Sequence, residues 1–270
     1  MTFAEKISFL SQKPLTIKGS RPPWAFYVAK YLWARTSRIG VKQLVQRGLC
    51  GKNYEVHFSS PNQCFISARF GDAGDFTAWN EVFVDRVYEL DTLPFEPELI
   101  IDAGAHIGTF TVLAHSRFPH AKIVSIEPVH ANFILLAKNN SLNQVASELH
   151  NCALADYEGT GSMQGDSSVG SQLVADSSAA GNIPIRRLSS LVNLEGVQSL
   201  LLKCDTEGME FRILSDILPE VPSRTAVFLE SHGGQAETQR LRGLMVNAGF
   251  SFTVTRSRGF YEDCVAVRGE

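Results

Sequence analysis

The chain has 270 residues, of which 44% are hydrophobic and 20% are charged, and its formal net charge is −3. This composition predicts a soluble globular protein with a sizeable core. The small net charge and the lack of a Lys/Arg block argue against a nucleic-acid partner.

The N-terminus and the cysteines indicate where the protein resides. No basic region followed by an apolar stretch and a small-residue cleavage site is present, so we expect no secretory signal. The densest apolar segment, residues 24–34, is interrupted by Lys30 and is too short to cross a bilayer. The five cysteines are scattered and never in Cys-x-x-Cys spacing, which argues against disulfides and thiolate zinc sites. We therefore expect reduced thiols, no membrane insertion and a cytoplasmic location.

Residues 1–97 are expected to form an accessory region. Apolar residues between positions 22 and 50 recur at three- and four-residue spacing, which predicts two short helices. Alternating residues on both sides of Ser59–Asn62 predict a β-hairpin. Asp75 is expected to cap a further helix, which Pro94 and Pro97 separate from the rest of the chain.

Residues 98–270 show alternating strands and helices, which predicts a doubly wound α/β sheet of the Rossmann-like type. The predicted strands are residues 99–102, 122–127, 147–154, 199–205 and 225–231, and the predicted helices are residues 108–117, 130–142, 209–217 and 236–248. Residues 250–256 and 262–268 are expected to pair as a hairpin, which gives seven strands with the last one antiparallel. Residues 156–181 are rich in Gly, Ser and Ala, so we expect a surface loop, with a weak hairpin or a mobile lid as alternatives.

A glycine turn follows the first predicted strand, with the spacing Asp102-x-Gly104-x-x-x-Gly108. Glycines let backbone N–H groups approach a ligand, and the next helix directs its N-terminus at the same point. The spacing differs from the Gly-x-Gly-x-x-Gly fingerprint of pyrophosphate binding. Asp102 would repel a pyrophosphate, whereas it suits an ammonium group.

Glu127 ends the second predicted strand, where a carboxylate can accept hydrogen bonds from both hydroxyls of a ribose. A ligand with an amino-acid end and a free ribose satisfies both carboxylates. S-adenosylmethionine is such a ligand, and its sulfonium charge is attracted by Asp102, Glu127 and Asp205. A purely structural role, in which the glycines shape the turn and the carboxylates cap helices, is the alternative.

The predicted cofactor-binding residues are Asp102, Gly104, Ala105, His106, Gly108, Thr109, Glu127, Pro128, Cys152, Ala153, Leu154 and Asp205. Among these, Asp102 and the turn up to Gly108 are expected to hold the methionine end, and Glu127 the ribose. Residues 152–154 are expected to contact the adenine.

The predicted catalytic residues are Asp205, Glu207 and His232. Methyl transfer to oxygen requires alignment of acceptor, methyl and sulfur together with a general base. His232 has a suitable intrinsic pKa, and Asp205 or Glu207 could act instead if burial raised its pKa. Together with Glu230 these side chains could collect a divalent cation, but no tight ligand spacing supports one, so we predict no metal.

On these motifs the chain resembles the FkbM family of S-adenosylmethionine-dependent methyltransferases over residues 70–230. The segment Lys203-Cys204-Asp205-Thr206-Glu207-Gly208-Met209-Glu210 looks like the family signature Lys-Ile-Asp-x-Glu-Gly-x-Glu. The other matching positions are residues 101–108, Glu127-Pro128 with Asn132, residues 139–143 and residues 152–156, and residues 71–76 are loosely similar to the segment before the family core. The resemblance implies a class I methyltransferase fold and transfer to a hydroxyl oxygen, commonly of a sugar or a polyketide-type natural product.

The leading hypothesis is therefore an S-adenosylmethionine-dependent O-methyltransferase that acts on a hydroxylated small molecule. A nicotinamide-dependent oxidoreductase that uses the same strand ends is the second hypothesis. A non-catalytic cofactor-binding scaffold is the third.

Overall fold

The computed structural model describes residues 64–69, 72–163 and 183–269, together with the backbone of the strands at 16–17, 55–59, 159–164 and 172–175. The two helices expected between residues 22 and 50 lie outside these described residues. Within them, Cys64, Cys152, Cys204 and Cys264 are buried free thiols, as expected. No helix of the described part combines the length and the hydropathy that a membrane span requires.

The N-terminal region contains the expected hairpin. Strands β1 (Thr16–Ile17), β2 (Glu55–Ser59) and β3 (Phe65–Arg69) form an antiparallel sheet in that order. Helix α1 (Ala73–Trp79) begins earlier than expected, because the carboxylate of Asp72 accepts the N–H groups of Gly74 and Asp75 and so caps the helix. The capping role expected for Asp75 is therefore wrong. The helix continues as a π-helical turn (Asn80–Asp85), and a 3₁₀ turn (Leu90–Thr92) follows.

The main sheet has seven strands. In chain order the remaining elements are β4 (Leu99–Ala103), α2 (Thr109–Arg117), β5 (Lys122–Ile126), α3 (His130–Leu142), β6 (Ser147–His150), β7 (Ala153–Leu154), β8 (Gly159–Gln164), β9 (Gln172–Ala175), β10 (Ile183–Arg186), α4 (Leu188–Leu191), β11 (Ser199–Cys204), α5 (Glu210–Ile217), β12 (Arg224–Ser231), α6 (Gly234–Asn247), β13 (Ser251–Ser257) and β14 (Glu262–Arg268). The strand order is β13-β14-β12-β11-β4-β5-β6, and β14 runs antiparallel to both of its neighbours. The predicted doubly wound α/β sheet with an antiparallel last strand is confirmed.

The predicted strand 147–154 is interrupted and contributes to two sheets. Strand β6 pairs with β5, whereas β7 pairs with β10 in a second sheet of order β7-β10-β8-β9. The side-chain amide of Asn151, at the interruption, donates to the carbonyls of Glu127 and Pro128, which turns the chain away from the main sheet. Strands β8 and β9 pair antiparallel, so the hairpin alternative for this part of the chain is confirmed and the plain loop is wrong.

The core lies on both faces of the central strands. Every residue of β4 and β11 is buried, as strands covered by helices on two sides require. Residues Ile66, Trp79 and Phe83 pack in the same hydrophobic cluster as Ile100 of β4. The described part of residues 1–97 thus shares a core with the sheet, and the division into two domains at residue 97 stays a prediction.

Two asparagines of α3 hold the N-terminal hairpin against the sheet. Asn139 is completely buried; its Oδ1 accepts from the N–H of Ser67 at 2.7 Å, and its Nδ2 donates to the carbonyls of Ser67 at 3.0 Å and Ile107 at 2.7 Å. Asn143 makes the equivalent pair of bonds to the backbone of Phe65. The two side-chain amides thus bind the backbone edge of β3 as a neighbouring strand would. Asn139 also fixes the glycine turn through its bond to Ile107.

We expect Asn139→Ala to lower the free energy of unfolding by about 2–4 kcal/mol, because it leaves three buried backbone groups without a partner. Asn143→Ala is the matched control, since its bonds are exposed and water can replace them. For the control we expect a loss below about 1 kcal/mol. Urea denaturation followed by circular dichroism measures both variants, and equal losses would contradict the role given to Asn139.

Candidate active site

The glycine turn between β4 and α2 lies against the turn that follows β11. Gly104 and Gly108 have φ angles of +79° and +85°, which favour glycine. A Cβ atom added to Gly104 would meet the carbonyl oxygen of Asp205 at 1.8 Å. The N–H groups of Gly104 and Ala105 both donate to the carbonyl of Ile126 at the end of β5. The turn is thus fixed by the neighbouring strands on both sides.

Asp102 and Lys203 form a buried ion pair beneath this turn. Asp102 is completely buried; its Oδ2 accepts from the hydroxyl of Thr111 at 2.6 Å, and its Oδ1 lies 3.4 Å from Nζ of Lys203. Lys203 also donates to the carbonyl of Gly104 at 2.5 Å and lies 3.4 Å from Asp205. The carboxylate of Asp102 thus points into the protein and holds Lys203, and its predicted contact with a ligand stays a prediction.

The charge on Lys203 is maintained although the side chain is buried. Burial disfavours the ammonium, but the carboxylates of Asp205 and Asp102 outweigh it and raise the pKa of Lys203 well above its usual value. Burial would raise the pKa of Asp205, yet Lys203 and then His232 bring it below the ordinary value. Asp205, whose side chain is 27% exposed, is thus an ionised carboxylate at the carboxyl edge, by which we mean the C-terminal ends of β4, β5, β11 and β12.

Glu127 is nearly buried and accepts several hydrogen bonds. Its Oε2 accepts from the N–H of His106 at 2.8 Å, and its Oε1 accepts from the N–H of Val129 at 2.9 Å and from Nδ2 of Asn132 at 3.3 Å. Burial raises the pKa of Glu127 to about 7, although the backbone N–H groups of Val129 and His106 oppose this shift. The residue joins the end of β5 to the glycine turn.

His106 connects the glycine turn to the N-terminal region. Its backbone is left-handed, with a φ angle of +51°, and its Nε2 lies 3.6 Å from Oδ1 of Asp75. Asp75 is completely buried and binds the guanidinium of Arg69, which also donates to Asn132 at 2.6 Å. Burial lowers the pKa of His106 to about 4, so its imidazole is neutral at physiological pH.

Glu210 fixes the turn between β11 and α5. Its side chain is 1% exposed and accepts the N–H groups of Thr206 at 2.8 Å and Gly208 at 3.1 Å. The same carboxylate lies 3.1 Å from Nδ1 of His232. Within this turn Glu207 has a left-handed backbone with a φ angle of +56°. The carboxylate of Glu210 therefore positions the predicted catalytic segment and the imidazole together.

His232 is surrounded by carboxylates. Its Nε2 lies 3.3 Å from Glu207, 3.6 Å from Asp205 and 4.0 Å from Glu230. Burial alone would lower the pKa of His232, but the bond to Glu210 and the charges of Asp205 and Glu207 raise it to about 10. His232 is brought to the predicted place beside Asp205 and Glu207. With a pKa above neutral the imidazole is charged, and the role of His232 as general base stays a prediction.

The remaining predicted cofactor residues lie at the same edge, and most of them are buried. Ala105 and Thr109 are buried in the turn and in the first residue of α2. Cys152, Ala153 and Leu154 are also buried, and burial raises the pKa of the Cys152 thiol to about 11. Pro128 is half-buried, and its carbonyl accepts from Asn151. Contact of these residues with a cofactor stays a prediction.

Three of the side chains have a spacing at which a metal ion can be held. One ligand atom each from Asp205, Glu230 and His232 lies within 4.8 Å of the others. The imidazolium of His232 already supplies a positive charge to this group, and Lys203 and Arg258 lie beside its two carboxylates. The prediction of no metal therefore stays a prediction.

Several residues of the site were not among the predicted site residues. Arg69, Asp75, Asn151, Glu210 and Arg258 belong to it through contacts with residues distant in the chain. Glu210 was the one with a usable signal, because it ends the Lys203–Glu210 motif. Its spacing of two from Gly208 and four from Thr206 permits the carboxylate to cap the turn.

The sheet order, the glycine turn and the carboxylates at neighbouring strand ends define a domain of the class I methyltransferase type. Residues 102–252 match the family described as Methyltransferase FkbM domain. The chain belongs to this family.

Individual relatives match over shorter stretches. Methyltransferase 1 of Beauveria bassiana (strain ARSEF 2860) is 26% identical over 166 residues, which cover 61% of this chain and 65% of that protein. Methyltransferase sdnD of Sordaria araneosa is 36% identical over 84 residues, 30% of this chain and 32% of that protein. The 31-O-demethyl-FK506 methyltransferase FkbM of Streptomyces tacrolimicus is 32% identical over 82 residues, again 30% and 32%. The matches thus span less than two thirds of the length of these relatives.

Solved structures with a similar course of the chain include TYW2 of M. jannaschii in complex with AdoMet. It is 12% identical, with a TM-score of 0.47 over 81% of this chain and 87% of that chain. The precorrin-6y C5,15-methyltransferase of Geobacter metallireducens GS-15 is also 12% identical, with a TM-score of 0.42 over 67% and 85%.

Gly104→Ala is expected to lower the free energy of unfolding by about 4 kcal/mol or more, because the added Cβ collides with the carbonyl of Asp205. Gly196→Ala is the matched control, since Gly196 has the same φ angle of +79° but has no atom within 4 Å of the added Cβ. The control carries the backbone strain alone, about 1–2 kcal/mol. Urea denaturation measures both, and similar losses would show that the approach of the two turns has no importance for stability.

We expect the His232 imidazole to titrate near pH 10 and that of His106 near pH 4. Because the folded pKa of His232 exceeds its ordinary 6.5, its contribution to stability is complete below that pH and is lost as the pH rises toward 10. NMR titration of the imidazole protons, assigned with the His232→Gln and His106→Gln variants, measures both midpoints. Titration of His232 near pH 6.5 would contradict the effect of the surrounding carboxylates on its pKa.

Proposed function

We propose that the protein is an S-adenosylmethionine-dependent methyltransferase that transfers the methyl group to a hydroxyl oxygen of a small molecule. Membership in the methyltransferase family supports the reaction class. The observation that carries the choice of cofactor is the ionised Asp205 at the carboxyl edge, directly beside the glycine turn. A ligand with an ammonium and a sulfonium group suits such a carboxylate.

The residues at the carboxyl edge fit this cofactor. In the proposal Asp205 takes the role toward the cationic end that the sequence had given to Asp102, because Asp205 is partly exposed whereas Asp102 is buried. Glu127 receives three hydrogen bonds, and a carboxylate has about four acceptor positions, so it retains capacity for a ribose hydroxyl. The ring nitrogens of His106 are buried and lack a hydrogen-bond partner among the described residues. They offer a further polar contact to the bound molecule.

When bound, the cofactor supplies an electrophilic methyl group on a sulfonium. The chain contributes orientation, charge and a proton acceptor. Glu210 and Lys203 fix the two turns that would hold the cofactor, and His232 fixes the carboxylates around its own imidazole. The hydroxyl acceptor is supported by the resemblance and by the name of one relative, 31-O-demethyl-FK506 methyltransferase FkbM, which refers to a methyl group on oxygen.

The two other hypotheses are less well supported. Family membership disfavours a nicotinamide-dependent oxidoreductase. A non-catalytic scaffold requires that the cofactor binds without turnover, which the following experiment addresses.

We expect the wild-type chain to bind S-adenosylhomocysteine in titration calorimetry and to convert hydroxylated small molecules into methyl ethers, identified by mass spectrometry and NMR. Glu127→Gln should weaken the binding about tenfold or more, because the amide places an NH₂ group against a backbone N–H donor. Glu195→Gln, an exposed glutamate in the loop before β11, serves as the control and should bind as the wild type does.

Each negative result has a separate meaning. Absence of binding to the wild type would overturn the cofactor assignment. Binding without transfer to any hydroxyl would favour the scaffold, and methylation of nitrogen or carbon would overturn the acceptor class.

A further inference from the structure

Glu230, which was not among the predicted catalytic residues, lies at the carboxyl edge beside Asp205. It is the second-last residue of β12, and its side chain is 18% exposed. A carboxylate oxygen of Glu230 lies within 4.8 Å of one of Asp205. A hydroxyl group placed next to the proposed position of the cofactor would therefore be within reach of Glu230.

The two oxygens of Glu230 are in different situations. Oε1 lies 3.2 Å from the guanidinium of Arg258 and 4.0 Å from Nε2 of His232. Oε2 takes part in neither of these contacts. Arg258 holds the carboxylate in place through one oxygen and leaves the other available to accept a proton.

The groups that face Glu230 come from every neighbouring element. They are Lys203 from β11, Asp205 from the turn that follows β11, Asp263 from β14, Arg258 from the turn between β13 and β14, His232 from its own chain segment, and Tyr88 from the segment after the π-helical turn. Burial and the charge of Asp205 raise the pKa of Glu230 to about 8, and Arg258 and His232 oppose this shift. This pKa agrees with the position of Glu230 at the carboxyl edge, because a base that works near neutral pH needs a pKa in this range.

The other candidates for a base are already engaged. His232 carries a proton, and Asp205 is held ionised by Lys203. Glu210 is buried and accepts backbone N–H groups, and Glu207 contacts the imidazolium. Glu230 is partly exposed, and its contacts with Arg258 and His232 both involve Oε1, which leaves Oε2 for a further contact.

We propose that Glu230 is the general base that accepts the proton of the acceptor hydroxyl, an assignment that rests on the proposed function. As the hydroxyl oxygen forms its bond to the methyl carbon, the bond from carbon to sulfur breaks and its electron pair remains on sulfur. The hydroxyl proton moves to Oε2 of Glu230. The products are a methyl ether, the thioether form of the cofactor and a protonated Glu230, which then returns its proton to solvent.

Glu230→Gln is expected to lower kcat by about 10²–10⁴-fold, because the amide cannot accept the proton. Affinity for S-adenosylhomocysteine should stay within about twofold, since Glu230 is not assigned to the cofactor. In the wild type kcat should rise with pH as Glu230 loses its proton near pH 8, and this rise should be absent from the variant. Glu230→Asp should retain the rise at a reduced kcat.

Glu81→Gln is the matched control, because Glu81 is the other carboxylate paired with the same Arg258 guanidinium. The substitution removes one of the negative charges that pair with Arg258 and changes no residue of the carboxyl edge. We therefore expect kcat to change less than about tenfold and its rise with pH to remain. Circular dichroism and urea denaturation establish that all variants are folded.

The outcomes separate this proposal from the proposed function. Cofactor binding and wild-type turnover, combined with unchanged kcat or an unchanged pH profile in Glu230→Gln, would overturn the role of Glu230 alone. An equal loss of kcat in Glu81→Gln would also overturn it, because the effect would then come from Arg258. A wild type that does not bind S-adenosylhomocysteine overturns the proposed function and the base together.

Discussion

The buried ammonium of Lys203 joins the two turns that form the site. It contacts the carbonyl of Gly104 on one side and the carboxylates of Asp102 and Asp205 on the other. A buried charge is unfavourable unless it is paired, and here two carboxylates outweigh the loss of hydration. The pairing fixes the end of β11 beside the end of β4 and keeps Asp205 ionised. Without this cation, two carboxylates would be left close together in a region of low polarity.

A second cation, the imidazolium of His232, organises the carboxylates on the other side of Asp205. The two cations and their surroundings give the acids of the edge different proton affinities. Asp205 titrates below its ordinary range, whereas the pKa of Glu127 is about 7 and that of Glu230 is about 8. Acids with separated pKa values can perform different tasks in one site. In the proposed function one carboxylate, Asp205, attracts a cation and another, Glu230, accepts a proton.

Most of the main sheet was predictable from the sequence, because apolar runs and glycine turns are local signals. The convergence of Glu127, Asp205 and Glu230 also follows from sequence, since the carboxyl ends of parallel strands share one edge. The contact of Asp102 was not predictable in this way, because its position before the last residue of β4 directs the side chain into the layer between sheet and helix. The proton on His232 depends on Glu210, 22 residues away in the chain, and only the folded structure brings them together. Likewise, no local pattern distinguishes Asp72 from Asp75 as the cap of α1, because the choice depends on Arg69 binding Asp75.

The pairing of Arg258 with Glu81 has a consequence for how the chain reaches its native state. The two residues are 177 positions apart, and Arg258 lies in the turn between β13 and β14. Contacts of such sequence separation form slowly, because a long loop must close before they exist. Glu81 and Glu230 therefore obtain their common counter-ion only when the hairpin of β13 and β14 has joined the edge of β12.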